Sequence, residues 1–174
     1  MNEPSGRSAT RLVFAVGAVA LLVDVLSKRL AVRKLTGRDP VEVLGDFLQL
    51  RLVLNPGAAF GAGGAAVTPV ISVVAIIATV VTVYFAFRVR HRGWAVGLGL
   101  LLAGVGGNLV DRMFREPGPF RGHVVDFFAL PHWPVFNVAD ICIDAAAVLF
   151  AVLLIRGVRL DGIRHVHEPR GDEQ

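Results

Sequence analysis

Four long apolar stretches dominate this chain of 174 residues, and each is long enough to cross the hydrocarbon layer of a bilayer. They cover about residues 12–30, 68–87, 94–110 and 138–155. Backbone groups in lipid must find their hydrogen bonds within the segment, so each stretch is predicted to form a helix. The mean hydropathy of +0.61 is rare for a water-soluble domain. The sequence therefore predicts an all-α membrane protein with four transmembrane helices, folded as a single membrane-embedded domain over residues 1–174.

The first stretch also has features of a secretory signal peptide, because Arg7 and Arg11 precede its apolar run. Asp24 and Lys28 interrupt the place where a cleavage site would lie, and no soluble domain follows. These two charged residues favour a membrane span over a cleaved signal.

The distribution of basic residues predicts the orientation. With four spans both chain ends share one side, and Lys plus Arg number nine on each side. Lys28 and Arg112 adjoin intramembrane acids and are discounted, whereas the short "RVRHR" connection carries three arginines. The positive-inside rule then predicts cytoplasmic termini, with residues 31–67 and 111–137 outside. Membrane lipids with anionic headgroups are the expected partners of these arginines, and nucleic acid is not expected.

The two outer segments are too long to be simple connectors. "VEVLGDFLQLRLVLN" alternates partly in Val, Leu and Phe, which predicts two or three short strands in a small extracytoplasmic β-sheet. "NPGAAFG" is predicted to turn the chain back. The second segment forms a Pro-containing outer loop, since its prolines exclude a long helix: Pro117, Pro119, Pro131 and Pro134. Residues 165–174 are predicted to be a disordered tail.

Small residues recur every four positions in the third span, at Ala95, Gly99, Ala103 and Gly107. Gly104 widens this face. Such a face lets a neighbouring helix approach closely, so helix packing is its predicted role.

Charged residues interrupt three of the apolar stretches, in "LLVDVLSK", "GNLVDR" and "FNVADICID". A charge at membrane depth costs about 2.5–3.5 kcal/mol on insertion scales, so a functional role is the first hypothesis. Asp24 and Lys28 stand four residues apart on one helical face and are predicted to form an ion pair. Asp111 and Arg112 are adjacent, which suggests a charge-compensated pair or a clamp on a substrate backbone.

The inventory of reactive residues narrows the chemistry. Neither HExxH nor GxSxG is present, and the histidines lack zinc-site spacing, so neither a metal nor another cofactor is expected. Two weaker alternatives remain. Ser72 with Lys28 would form a Ser/Lys pair, and Cys142 with His123 would form a thiol pair, although Cys142 has no evident activating cation.

Carboxylates are the remaining candidates, and five lie at or near the outer boundary: Asp24, Asp111, Asp126, Asp140 and Asp144. Two aspartates that share one proton can hydrolyse a peptide without a metal or a nucleophile. Asn137 is placed to cap the fourth span, which puts Asp140 at the third helical position, where the helix dipole stabilises its anion. The apolar neighbours of Asp126 are predicted to raise its pKa, although a solvated loop acid is an alternative reading. Residue spacing alone leaves the choice of pair open, and Asp144 competes as the second acid.

A non-enzymatic class, such as a small transporter with an ion path, makes a different prediction. It would distribute polar residues through the depth of several spans. Here they cluster near one face of the membrane, which suits cleavage near one leaflet.

Five blocks, "DVLSK", "NPGAAFG", "GGNLVDR", "HVVDFF" and "FNVAD", follow in this order over residues 24–140. The chain closely resembles lipoprotein signal peptidase, the type II signal peptidase of bacteria. This resemblance implies an intramembrane aspartyl endopeptidase of the bacterial inner membrane, with its active site near the outer leaflet. It implies removal of signal peptides from diacylglyceryl-modified prolipoproteins, by cleavage on the amino side of the lipidated cysteine.

The resemblance also assigns residues. It implies that Asp126 and Asp140 are catalytic, and it implies a supporting and substrate-contacting shell of Asp24, Lys28, Asn55, Gly104, Asn108, Asp111, Arg112, Asn137 and Ala139. Pro56 and Asp144 are less usual choices beside these blocks. Asp144 raises the hypothesis of altered proton sharing near the catalytic pair.

Overall fold

The computed structural model describes residues 6–57 and 64–161, in which four helices and three strands are found. In chain order they are α1 (Gly6–Leu35), β1 (Val41–Leu44), β2 (Leu48–Asn55), α2 (Gly64–Ala86), α3 (Arg92–Phe114), β3 (Val124–Ala129) and α4 (Val138–Ile155). All four helices are long and apolar enough to cross a membrane. The predicted disordered tail and most of the "NPGAAFG" turn lie outside the described residues.

Three of the four helices, α1, α2 and α3, begin before the apolar stretches that predicted them, and α1 and α3 also end later. α1 begins six residues before the predicted start and ends five residues after the predicted end. α3 continues to Phe114, so Asp111 and Arg112 lie inside this helix and not in the outer segment, which corrects the prediction. Hydropathy marks the part of a helix that lies in the hydrocarbon layer. Helical hydrogen bonding continues into the flanking polar residues until the backbone changes conformation, as at Gly37 after α1, where φ is +67°. The predicted bounds of α4 are confirmed.

α3 packs against the other three helices. Its predicted small-residue face is confirmed by the neighbours of its glycines. A Cβ atom on Gly99 would lie 2.7 Å from the carbonyl oxygen of Val13 in α1. A Cβ atom on Gly104 would lie 2.5 Å from the carbonyl oxygen of Ala139 in α4. Larger residues at these two positions would force the helices apart.

The three strands form one antiparallel sheet in the order β1-β2-β3. β2 and β3 are paired with Val53 opposite Asp126 and Asn55 opposite Val124. The first outer segment supplies two strands, as predicted, but β3 comes from the second and was not predicted. Val125 and Phe127 of β3 are buried in a cluster with residues of α1, so the sheet is anchored on the helical bundle.

Candidate active site

Asp126 lies on β3 with its side chain in a closed environment. Alternate residues of a strand face opposite sides, so Val125 and Phe127 turn to α1 while Asp126 turns away from it. Asp126 is only 2% exposed. Its Oδ1 accepts a hydrogen bond from Asn137 Nδ2 at 2.6 Å, and its Oδ2 accepts one from Asn55 Nδ2 at 3.0 Å. Asp126 is therefore not a solvated loop acid.

The environment of Asp126 raises its pKa to about 6, and burial is the main cause. The nearby charge of Asp140 also raises this pKa, while the hydrogen bonds from Asn55 and Asn137 lower it. The predicted direction is confirmed, because loss of water disfavours the ionised carboxylate more than the two amides favour it.

Asp140 lies in the first turn of α4 and is held by a capping box, as the sequence predicted. The side chain of Asn137 accepts a hydrogen bond from the Asp140 backbone N–H at 3.0 Å. Asp140 Oδ2 in return accepts one from the Asn137 backbone N–H at 3.0 Å. Its other oxygen, Oδ1, accepts a hydrogen bond from Asn108 Nδ2 at 2.8 Å. The carboxylate is thereby fixed at the positive end of the helix dipole.

Two amide side chains connect the two carboxylates. Asn137 Nδ2 lies 3.2 Å from Asn108 Oδ1, while Asn137 and Asn108 donate to Asp126 and Asp140 respectively. Both aspartates line one cavity of about 430 Å³. Its other polar lining residues are Asn55, Asn108, Arg112 and Asp144, and its apolar wall consists of Val124, Leu130, Trp133, Pro134, Val135, Phe136 and Ile141.

Lys28 is a buried cation that is linked to this pair through Asn108. It is 1% exposed, and its Nζ lies 2.9 Å from Asp24 Oδ2 and 3.0 Å from Asp111 Oδ2. The predicted pair of Asp24 with Lys28 is confirmed. Lys28 Nζ also donates to Asn108 Oδ1 at 3.0 Å, and Asp24 Oδ1 accepts the Ala139 backbone N–H at 2.9 Å. One lysine thus connects α1 to α3, and its partner Asp24 connects α1 to α4.

Asp111 and Arg112 do not form the compensated pair that their adjacency suggested. Asp111 instead pairs with Lys28 and with Arg115, and its Oδ2 accepts the Val125 backbone N–H at 3.2 Å. Neighbouring helical residues point about 100° apart, so the two side chains diverge. Asp111 is absent from the residues that line the cavity, and it joins α3 to β3.

Arg112, unlike Asp111, lines the cavity that contains Asp126 and Asp140. It is 6% exposed, and its Nη2 donates to the Gly57 carbonyl at 3.0 Å. Its Nη1 is buried and has no hydrogen-bond acceptor within residues 6–57 and 64–161. The guanidinium group therefore keeps one donor available beside the two aspartates.

Gly104, Gly107 and Ala139 act through spacing. A Cβ atom on Gly107 would collide with the Asp24 carboxylate, and Gly104 admits the backbone of Ala139. Ala139 is completely buried. These small residues let Asp24 reach α4 and bring Asp140 beside Asn108.

Sequence reasoning missed Arg115 and the Gly57 carbonyl. Arg115 stands four residues after Asp111, and this spacing is the signal that could have found their pair. The Gly57 contact spans 55 residues and has no local signal.

The alternative reactive residues have other surroundings. Ser72 is buried, and its hydroxyl shares one hydrogen between the carbonyl oxygens of Thr68 and Phe120, each 2.9 Å away. Cys142 is buried and is not among the cavity residues. Asp144 lines the cavity and is exposed, and within the described part of the chain it forms neither a hydrogen bond nor an ion pair.

Comparison with known proteins identifies the family. The family model for signal peptidase (SPase) II matches residues 16–156. The lipoprotein signal peptidase of Rhodococcus jostii is 44% identical, with 94% of this chain and 86% of the relative covered. That of Mycobacterium avium is 43% identical, with 93% of each chain covered. That of Mycolicibacterium smegmatis is 46% identical over 88% of this chain, which spans 65% of the relative's length.

Two solved structures share the fold, and both are described as bacterial membrane enzymes determined by the in meso method. One, at 2.3 Å resolution, has a TM-score of 0.73 at 24% identity and covers 90% of this chain and 93% of its own. The other, at 1.9 Å resolution, has a TM-score of 0.70 at 26% identity and covers 83% and 92%. With the family model matched over well more than half of its length, this chain is a multi-pass membrane peptidase that belongs to the signal peptidase II family.

Proposed function

We propose that this protein removes signal peptides from lipid-modified prolipoproteins, with Asp126 and Asp140 as its catalytic pair. The observation that carries this assignment is that both carboxylates line one cavity in unlike environments. Burial holds the pKa of Asp126 at about 6. Asp140 instead lies in the first turn of α4, where the helix dipole stabilises its ionised form. Environments of this kind divide a carboxylate pair into an acid and a base. Cleavage falls on the amino side of the lipidated cysteine.

The proposed reaction needs only water and the two carboxyl groups. Asp140, ionised, takes a proton from water as the water oxygen adds to the scissile carbonyl carbon, and neutral Asp126 donates its proton to the carbonyl oxygen. The product of this step is a neutral diol. Asp140 then gives its proton to the amide nitrogen, the C–N bond breaks, and a diol hydroxyl returns a proton to Asp126. The pair is restored with one proton.

The charges around the pair balance when it holds this single proton. Asp24 and Asp111 are both buried and contribute two negative charges, and the pair contributes a third. Asp144 also lines the cavity, but it is exposed to solvent and is not counted. Lys28, Arg112 and Arg115 contribute three positive charges. A neutral cluster avoids most of the free-energy cost of burying unpaired charge, which supports one shared proton as the resting state.

Arg112 is the proposed substrate-binding residue of the cluster. Arg112 lines the cavity, and its Nη1 has no partner among the described residues. A carbonyl oxygen of a bound substrate would accept a hydrogen bond from this Nη1. A substrate segment must lose helical hydrogen bonds before it can be cleaved, so its freed carbonyl groups need donors in the cavity. We assign Asn55, Asn108 and Asn137 to the orientation of the carboxylates, on the hydrogen bonds described above.

The proposed location is the bacterial cytoplasmic membrane, with both termini in the cytoplasm and the active site near the outer leaflet. Asp140 stands three residues after the helix cap Asn137, about 5 Å along the helix axis, so the cavity lies close to one end of the bundle. Reporter proteins fused after residue 92 and after residue 118 are expected to report opposite sides. Equal reporter signals would contradict this topology.

The test of the function is cleavage of a defined substrate by the purified full-length protein. A diacylglyceryl-modified prolipoprotein is expected to lose its signal peptide, seen as a shift on a gel, with the lipidated cysteine at the new amino terminus. The same prolipoprotein without the lipid is the matched control and should be cleaved at least about tenfold more slowly. Equal cleavage of both, or a different new terminus, would refute the proposed specificity.

A further inference from the structure

A second cleft, of about 730 Å³, lies where α1 begins and α2 ends, and four arginines contribute to its wall. Its lining residues are Arg7, Thr10, Arg11, Phe87, Arg88, Val89 and Arg90. Arg11 precedes Asp24 by thirteen residues of α1. At 1.5 Å per residue this separates the cleft from the aspartate cluster by about 20 Å. The cleft therefore belongs to the opposite end of the bundle and is independent of the catalytic pair.

The backbone that carries these arginines is anchored. Ala9 of α1 and Val89 after α2 are each only 1% exposed and belong to the same buried cluster. The hydroxyl of Thr10 donates to the Ala86 carbonyl at 2.8 Å, which joins the two chain segments directly. The arginines thus project from two segments whose relative position is already set. A ligand would meet a formed cleft and would not have to order it.

Among residues 6–57 and 64–161, no acidic side chain compensates the charge of the cleft. Its lining contains neither Asp nor Glu, and Arg7, Arg11 and Arg90 form no ion pair in the described part of the chain. The guanidinium of Arg88 lies 4.4 Å from the centre of the Tyr84 ring, a contact that leaves its charge in place. Like charges that line one cleft repel each other, and a bound anion would relieve the repulsion. Phosphate oxygens suit arginine donors geometrically.

An apolar shelf adjoins the arginines. Phe87 is 67% exposed and Phe14 is 38% exposed, and their ring centres lie 5.7 Å apart. Phe14 stands three residues beyond Arg11 along α1, about 5 Å deeper into the apolar part of the helix. A free phosphate ion would make no use of this shelf, whereas an acyl chain would cover it.

We propose that the arginine cleft binds the phosphate headgroup of an anionic phospholipid, with one acyl chain against Phe14 and Phe87. Basic pockets between transmembrane helices commonly hold such headgroups. The arginines supply affinity for the phosphate, and the two aromatic rings make the site selective for a lipid over a soluble anion.

The test is native mass spectrometry of the full chain in detergent micelles, with phosphatidylglycerol added in increasing amounts. Arg11→Gln combined with Arg88→Gln is expected to weaken binding about thirtyfold, since each basic side chain at a membrane surface contributes about fivefold. Arg156→Gln combined with Arg159→Gln is the matched control. It removes two charges at the same end, outside the cleft, and should change the affinity less than about threefold.

Two further arms identify the ligand. Phosphatidylcholine with the same acyl chains is expected to bind at least about tenfold more weakly, and inorganic phosphate should not displace bound phosphatidylglycerol. Phe87→Ala should weaken phosphatidylglycerol binding about threefold or more, because it removes part of the shelf. Unchanged binding by the double variant, with a thermal midpoint like that of the wild type, would overturn the site. Displacement by inorganic phosphate would overturn its assignment to a lipid.

Discussion

Both ends of the helical bundle carry clustered charged side chains, but these charges are buried at one end and exposed at the other. At the aspartate end the ionic side chains are buried and pair across elements, as when Lys28 meets Asp24 and Asp111 within 3.0 Å. At the arginine end Arg88 and Arg90 are exposed on the wall of an open cleft. A buried charge depends on its ion-pair partners for stabilisation, whereas water or a bound ligand can stabilise an exposed charge. Substitutions should therefore have large effects at the first end and small ones at the second.

The largest expected effect is on catalysis. Asp126→Asn and Asp140→Asn should each lower kcat/KM by about 10⁴-fold, to background, because asparagine can neither share the proton nor take one from water. The double variant should be little worse than either single one, since the two groups act as a unit.

Asp144→Asn is the matched control for Asp140→Asn, because it lies one turn further along the same helix and lines the same cavity. It should keep activity within about fivefold, since Asp144 has no bond to either carboxylate among the described residues. Substantial activity in Asp126→Asn would break the proposed pair, and Asp144 would replace Asp126 in it.

The next effect is on stability. Lys28→Met should lower the free energy of unfolding by about 3–5 kcal/mol, because two buried carboxylates lose their counter-charge. Lys34→Met, near the exposed end of the same helix, should change it by about 0–1 kcal/mol. Reversible unfolding in mixed micelles measures both values. Similar losses in the two variants would remove the contrast between buried and exposed charge on α1.

The two arginines near the end of α3 should differ in a similar way. Arg112→Ala should lower kcat/KM by about 10²–10³-fold, as expected for loss of a donor that meets the substrate in the cavity. Arg115 is 31% exposed and pairs with Asp111, so Arg115→Ala should cost less than about tenfold. Steady-state cleavage assays distinguish them, and equal losses would move the substrate contact away from Arg112.

The pH dependence of stability should report Asp126. Its pKa of about 6 in the folded state exceeds the ordinary aspartate value of 3.8, so the folded protein binds more protons than the unfolded chain between these values. Stability should accordingly fall as the pH rises from about 4 to about 6, by at most about 3 kcal/mol. Asp126→Asn should abolish this dependence. A wild-type unfolding free energy that rises across the same window would contradict the raised pKa.

The smallest effect is expected at the arginine end. Arg11→Gln with Arg88→Gln should change the free energy of unfolding by less than about 1 kcal/mol in lipid-free micelles, because exposed charges contribute little. Cleavage activity should stay within about twofold of the wild type, given the distance from the aspartates. A loss comparable to that of Lys28→Met would mean that both ends are held by their charges, and the comparison would fail.

Much of the proposed site could be predicted because its signals are local. The pairing of Asp24 with Lys28 follows from helical spacing. The capping of α4 by Asn137 follows from the four consecutive positions 137–140. The raised pKa of Asp126 could be anticipated from its apolar neighbours. The pairing of Asp111 with Lys28 could not be predicted from the sequence. Lys28 lies 83 positions away in the sequence, whereas Arg112 is adjacent to Asp111 and is the partner that the sequence suggests.

The sequence by itself determined the four spans, the end of the bundle at which acids gather, and the helix cap that holds Asp140. These depend on hydropathy, covalent spacing and residue type, which act over a few positions. Only the tertiary structure decided that Asp126 lies on a strand, that Asn108 and Asn137 bridge the two carboxylates, and that Lys28 serves three partners. Such contacts join residues far apart in the chain, and they arise only when α1, α3, α4 and β3 are packed together.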